Sequence, residues 1–162
     1  SWHAHEFLYG YLGAVVAGFL LTAVPNWTGR LPIVGWRLGA LSLVWLSGRL
    51  AVAVSAGLPA GVVAAVDLSF LAVLALVLFS ITVISIPLLL EREVDMVTAM
   101  ITSIKTVFQS PLVMLGWGVF VTLCVLAASI PFFLGLLVVL PVFGHATWHL
   151  YRRALPDPAS RL

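Results

Sequence analysis

The sequence predicts an all-α, polytopic integral membrane protein with about five transmembrane helices and one interfacial amphipathic helix on the cytoplasmic face. Three observations predict it. Of 162 residues, 62% are hydrophobic and only 9% are charged. The apolar residues gather in runs of membrane-spanning length, and the basic residues fall between alternate runs. A soluble domain carries about 25% charged and about 45–50% apolar residues. This composition therefore excludes a soluble enzyme and a disordered chain. It also excludes a nucleic-acid binder, because the eight Lys and Arg residues behind the net charge of +2 are too few and too scattered to track phosphates. The chain is expected to live in a lipid bilayer, with a mean hydropathy of +1.17.

A spanning helix needs about 20 mostly apolar residues, and five stretches qualify. The first is Phe7–Val24, punctuated by Pro25-Asn26-Trp27-Thr28-Gly29. Gly10, Ala14 and Gly18 recur along it every fourth residue, a small-residue stripe that admits another helix closely. It points to other membrane-protein chains, or a second copy of this one, as partners. The second stretch is Leu38–Ala56, closed by Gly57-Leu58-Pro59, and the third is Val62–Ile86. Glu91–Gln109 reads differently. Val94, Val97, Ile101, Ile104 and Phe108 recur at steps of three and four residues, while charged and polar residues fall largely elsewhere. That pattern predicts an amphipathic helix lying on the cytoplasmic membrane face, or else a plain connector helix. The fourth and fifth stretches are Leu112–Ile130 and Phe132–Tyr151. Only Pro131 stands between them, so a hairpin, one long kinked helix and a re-entrant pair all remain open. Trp2, Trp27, Trp36, Trp117 and Trp148 sit mostly near span ends, as an interfacial belt does. The expected organisation is a three-helix membrane segment over 1–78 and a second segment over 79–162, the latter with the amphipathic helix 91–109 and a transmembrane hairpin 112–151.

Charge gives direction. Arg30 and Arg37 lie between the first two spans, Arg92 and Lys105 between the third and fourth, and Arg152, Arg153 and Arg161 after the fifth. The opposite side has no Lys or Arg. By the positive-inside rule the side that carries the basic residues is cytoplasmic, which puts the N-terminus outside and the C-terminus inside in a multi-pass membrane protein. The chain starts at Ser1 with no initiator Met and no basic region ahead of a cleavable apolar stretch, and so reads as a mature or truncated product. Its single cysteine, Cys124, allows no intramolecular disulfide.

Six polar residues stand out. Arg49 and Asp67 are charges inside spans, where isolated charges are costly. Arg49 lies nine residues before Leu58 and Asp67 eight after Pro59. Both are thus about 13 Å from the turn at 1.5 Å per residue, which predicts an intramembrane ion pair. A proton or ion relay is the functional alternative. The four histidines form two clusters, His3 with His5 and His145 with His149. His3 and His5 would share a face only if extended, with Glu6 as an acceptor that orients an imidazole. His145 and His149 share a helix face, and at that spacing can bind copper or zinc jointly or each offer one axial ligand to haem. They cannot both ligate one haem from a single helix. All four are candidate cofactor and metal ligands, with ordinary interfacial hydrogen bonding as the alternative. No phosphate loop, nucleophile elbow, HExxH or CxxC is present, so the sequence offers no soluble-enzyme active site.

Residues 2–74 resemble the NnrS family. The resemblance is carried by Trp2-His3-Ala4-His5-Glu6, by the run Ala17-Gly18-Phe19-Leu20-Leu21-Thr22-Ala23-Val24-Pro25-Asn26-Trp27-Thr28-Gly29-Arg30, and by Trp45-Leu46-Ser47-Gly48-Arg49. It implies a bacterial inner-membrane protein tied to nitric oxide metabolism, haem- and copper-containing, with His3 and His5 as ligand candidates. Residues 80–153 resemble instead the C-terminal part of a family of uncharacterised bacterial integral membrane proteins bearing a domain of unknown function. That resemblance rests on Pro87-Leu88-Leu89-Leu90-Glu91-Arg92-Glu93-Val94-Asp95 and Gly144-His145-Ala146-Thr147-Trp148-His149-Leu150-Tyr151-Arg152.

The expected function is that of a respiratory or nitric oxide membrane protein binding haem or copper through its histidines. The alternatives are a cofactor-free accessory or assembly subunit packed against a larger membrane complex, and a transporter-like ion or proton pathway.

Overall fold

The computed structural model describes residues 2–29 and 31–155, all of whose regular structure is helical. The chain divides into two compact units, Ser1–Leu78 and Phe79–Leu162. Among the described residues, three helices are long and apolar enough to cross a membrane: Trp2–Thr28, Ala60–Glu91 taken through a break, and Pro111–Ser129. Arg30 and Arg161, which enter the charge-based orientation, lie outside the described residues.

In the first unit, α1 runs over Trp2–Thr28, with a π-helical segment at Glu6–Leu12. The helix starts five residues before the expected span and passes through Pro25. The proline removes one N–H near the last turn, where few bonds remain to be lost, and the Thr28 hydroxyl donates to the Val24 carbonyl at 2.7 Å. Gly29, at φ 61°, ends the helix in the left-handed conformation that glycine adopts without steric cost. Helix α2 covers Trp36–Ala53 and gives way to a 3-10 turn at Ser55–Gly57, so it stops short of the predicted Ala56. Helix α3 covers Ala60–Thr82. The core of this unit is Ala17, Phe70 and Leu74, packed with Leu41, Val44 and Trp45. The expected stripe Gly10–Ala14–Gly18 is not the packed one. Gly10, Gly13 and Ala17 are buried, whereas Gly18 meets nothing. Steps of three and four stay on one face of a helix, while repeated steps of four drift away from it.

The second unit begins near the end of α3. The third span was expected to be continuous to Ile86, but the helix breaks at Val83–Ile84 and resumes as α4, Ser85–Glu91. Pro87 explains the break, since its ring excludes the carbonyl of Val83 and it has no N–H to give. Ser103 repairs the ladder. Its hydroxyl accepts from the Ile84 amide at 3.1 Å and donates to the Ser80 carbonyl at 2.8 Å. It therefore sits between two groups that would bond each other in an unbroken helix.

Helix α5 spans Met96–Gln109, starting later than the predicted Glu91. Arg92 is extended, and Asp95 is the N-cap, accepting from the Thr98 amide at 2.9 Å. The buried face of α5 is Ala99, Met100, Ser103, Thr106 and Val107. Of the expected apolar face, Val94, Val97, Ile101 and Ile104 are half-buried and Phe108 is exposed. The small residues Ala99 and Ser103 let α5 approach its neighbours α4 and α6 closely.

Helices α6, Pro111–Ser129, and α7, Leu136–Ala154, pack against each other as a hairpin. This sets aside the single kinked helix. Phe132–Gly135, expected to begin the fifth span, form the turn instead, with Phe132 and Phe133 at φ 52° and 64°. Gly135 is required there, because a Cβ would lie 2.6 Å from the Ala128 carbonyl oxygen. The core of the unit is Val83, Ile84, Leu88, Ala99, Val107, Met114 and the fully buried Tyr151. Glu91 accepts from Arg152 Nε at 3.1 Å and Nη2 at 2.8 Å, and Arg92 donates to the Leu155 carbonyl at 3.1 Å. These bonds tie α4 to the end of α7.

Candidate functional site

Two polar sites stand out, one in each unit. In the first, three helices bring His5, Glu6, Arg49 and Asp67 into one cluster. Arg49 donates to Glu6 Oε1 at 3.0 Å through Nη1 and to Asp67 Oδ1 through Nη2. His5 Nε2 lies 2.9 Å from Asp67 Oδ2, and its Nδ1 lies 3.5 Å from Glu6 Oε1. The structure thus brings Arg49 and Asp67 together and adds two groups that sequence reasoning had not joined to them. Two carboxylates face one guanidinium. A neutral imidazole leaves one negative charge in excess, and an imidazolium balances the four.

Glycines make this geometry possible. A Cβ on Gly48 would sit 3.2 Å from Asp67 Cα, so its absence lets α2 and α3 approach at the depth where Asp67 is buried. A Cβ on Gly10 would sit 2.8 Å from Arg49 Nη1, so this glycine vacates the guanidinium's place. The π-helical register of Glu6–Leu12 rearranges backbone acceptors, and the Trp45 indole donates to the Gly10 carbonyl at 3.0 Å. Tyr9 stacks on His5, ring centroids 4.7 Å apart. The signal that could have found this cluster was Glu6, a carboxylate one turn before Gly10.

His3 does not join. Residues Trp2–His5 are helical, not extended, so His3 and His5 point away from a common face. His3 is exposed, with its ring against Trp2 at 5.2 Å. In the second unit His145 and His149 do meet. Their Nε2 atoms are 3.0 Å apart on the exposed side of α7, with ring planes crossed at 81°.

Haem and copper fit these residues differently. Both nitrogens of His5 face carboxylates, so neither is directed at an axial position. Within neither unit do two histidines oppose each other across a gap, so neither unit by itself presents a bis-histidine haem site among its described residues. The His145–His149 pair suits a single metal ion. Two nitrogen ligands at about 2.0–2.1 Å from one metal enclose a bite of the observed size. No group of three His, Cys, Asp or Glu suited to a metal occurs among the described residues, so this pair would supply two ligands.

No curated protein and no solved structure matches the chain. A family model does, the one described as NnrS protein, over residues 1–160. The match runs on through the second half, which by sequence alone resembles a different family, and corrects that expectation. With its spanning helices and a match over both units, the chain is a membrane protein that belongs to the NnrS family.

Proposed function

We propose that this protein acts in nitric oxide metabolism in the bacterial cytoplasmic membrane, and that His145 and His149 hold one copper ion. Membership of the NnrS family supports the setting. The observation that carries the site is the 3.0 Å separation of the two Nε2 atoms, one helical turn apart. Copper bound there would supply a redox-active centre open to small ligands. The protein's own contribution is to hold the two imidazoles in register. Tyr151, buried two residues after His149, locks the rotation of α7. The Arg152–Glu91 bonds fix its end. The two histidines are thereby kept on the exposed face.

The reading includes five spans, with α2 and α7 crossing beside the three more apolar runs. The N-terminus is outside and the C-terminus inside, supported by the one-sided distribution of Arg and Lys. Arg37 and Arg49 in α2, and Arg152 and Arg153 in α7, are what lower the apolarity of those two helices.

The test is copper titration of the detergent-purified chain, read by metal analysis and electron paramagnetic resonance. One copper per chain with nitrogen hyperfine structure is expected, lost in His145→Ala/His149→Ala and kept in His3→Ala/His5→Ala. Copper retained by the first variant, or none bound by the unaltered protein, would sink the assignment and leave a cofactor-free packing subunit as the account.

A further inference from the structure

The two ring nitrogens of His5 have different surroundings. Nε2 lies 2.9 Å from Asp67 Oδ2. Asp67 also accepts from Arg49, as an ionised carboxylate does, and an ionised carboxylate only accepts. In a neutral imidazole the hydrogen must therefore sit on Nε2, which leaves Nδ1 with a lone pair. Nδ1 is buried, has no hydrogen-bond partner, and lies 3.5 Å from Glu6 Oε1. A lone pair set against a carboxylate oxygen is acceptor against acceptor, at an atom shielded from solvent. One proton on Nδ1 reverses that contact. Both ring nitrogens then donate, one toward each carboxylate.

Charge points the same way. The groups around His5 are Glu6 and the stacked Tyr9 from its own helix, Asp67 from α3, and Arg49 from α2 behind the two carboxylates. Arg49 donates to both carboxylates through Nη1 and Nη2, while its Nε has no partner. Its one positive charge stands against two negative ones. An excess charge inside a membrane span is costly, and a proton on His5 removes it. A metal ion suits the place less, because Glu6 Oε1 and both oxygens of Asp67 already face donors. The proton has a way in, since His5 and Asp67 both line a cavity of about 520 Å³.

We propose that His5 is a proton-binding site, at which the first unit takes up one proton from water on Nδ1. The protonated ring then bridges Glu6 of α1 and Asp67 of α3. This inference does not depend on the copper assignment.

The test is an acid-to-alkaline titration of the full chain in phosphatidylcholine nanodiscs, with isotope-labelled histidine rings read by nitrogen NMR. The His5 signals are those missing from His5→Gln. In the acid form both ring nitrogens should carry hydrogen, and raising the pH should strip Nδ1 while Nε2 keeps its own. Glu6→Gln removes the charge and keeps an acceptor for Arg49. It should weaken proton binding at His5 by at least about tenfold, as the loss of an opposite charge within about 4–6 Å implies. The exposed His3 should titrate alike in both proteins. Four results would overturn the proposal: Nδ1 bare throughout, hydrogen lost from Nε2 first, proton affinity unchanged in Glu6→Gln, or a titration that moves when sodium replaces choline. If Glu6→Gln does not fold, the order in which the two nitrogens of the unaltered protein lose hydrogen decides.

Discussion

His5 Nε2 lies 2.9 Å from Asp67 Oδ2, across 62 residues of chain. Through this contact the Arg49–Asp67 pair becomes part of a four-membered cluster with Glu6 and His5. The consequence is directional. Removing Arg49 takes the guanidinium from the buried Asp67 and the half-buried Glu6, so Arg49→Met is expected to cost about 3 kcal/mol. Arg49→Met/Asp67→Leu should cost less than Arg49→Met. Thermal unfolding in detergent measures both, and a double variant no better than the single would contradict the scheme.

Exchanging the charges should fail. Arg49→Asp with Asp67→Arg would restore a simple two-residue ion pair. Here it would set the new carboxylate against Glu6. Like charges at such distances are destabilising, so poor expression or a lowered Tm is expected. A swapped protein with unaltered Tm would mean that Glu6 contributes little.

Gly48 controls whether Asp67 reaches the cluster at all. The Cβ of Gly48→Ala would press on the Asp67 backbone at 3.2 Å, and Gly48→Leu would force α2 and α3 apart. Overpacking of this kind costs about 1–3 kcal/mol. The Leu variant should lower Tm more than the Ala variant, whereas the same pair of changes at Gly18, which faces open space, should have little effect.

Ser103→Ala should loosen the break between α3 and α4. The Ile84 amide would lose its acceptor in a fully buried position, a loss of about 1–3 kcal/mol. Hydrogen exchange at Ile84 is the direct readout, and it should accelerate in Ser103→Ala and much less in Ser103→Thr.

Asp95 gives a pH dependence outside the membrane spans. Its carboxyl is held below the usual carboxylate value, chiefly by the hydroxyl of Thr98 at 2.5 Å and then by the Thr98 amide. A lowered folded-state pKa means that the capping contribution is present above the unfolded value of about 3.9 and is lost as pH falls through the folded value. Amide exchange over the first turn of α5 should therefore rise on acidification. Asp95→Asn should retain the cap while removing that pH response.

The sequence by itself determined the solvent, the helical class and most helix positions. Runs of apolar residues long enough to span lipid leave the backbone no alternative to internal hydrogen bonding. The level of Arg49 and Asp67 also followed from the rise per residue. What required tertiary structure was azimuth and closure. Sequence spacing placed Glu6 and His5 at the end of a span, but not their rotation toward α2 and α3, which depends on the π-helical register and on Gly10 and Gly48 being bare. Which residues of α5 lie innermost was not legible either, because close packing draws small residues such as Ala99 and Ser103 inward. The break at Val83–Ile84 needed both Pro87, visible in sequence, and Ser103, whose hydroxyl reaches it from another helix. A helix's length is a local property of its residues, whereas its rotation is decided by what it packs against.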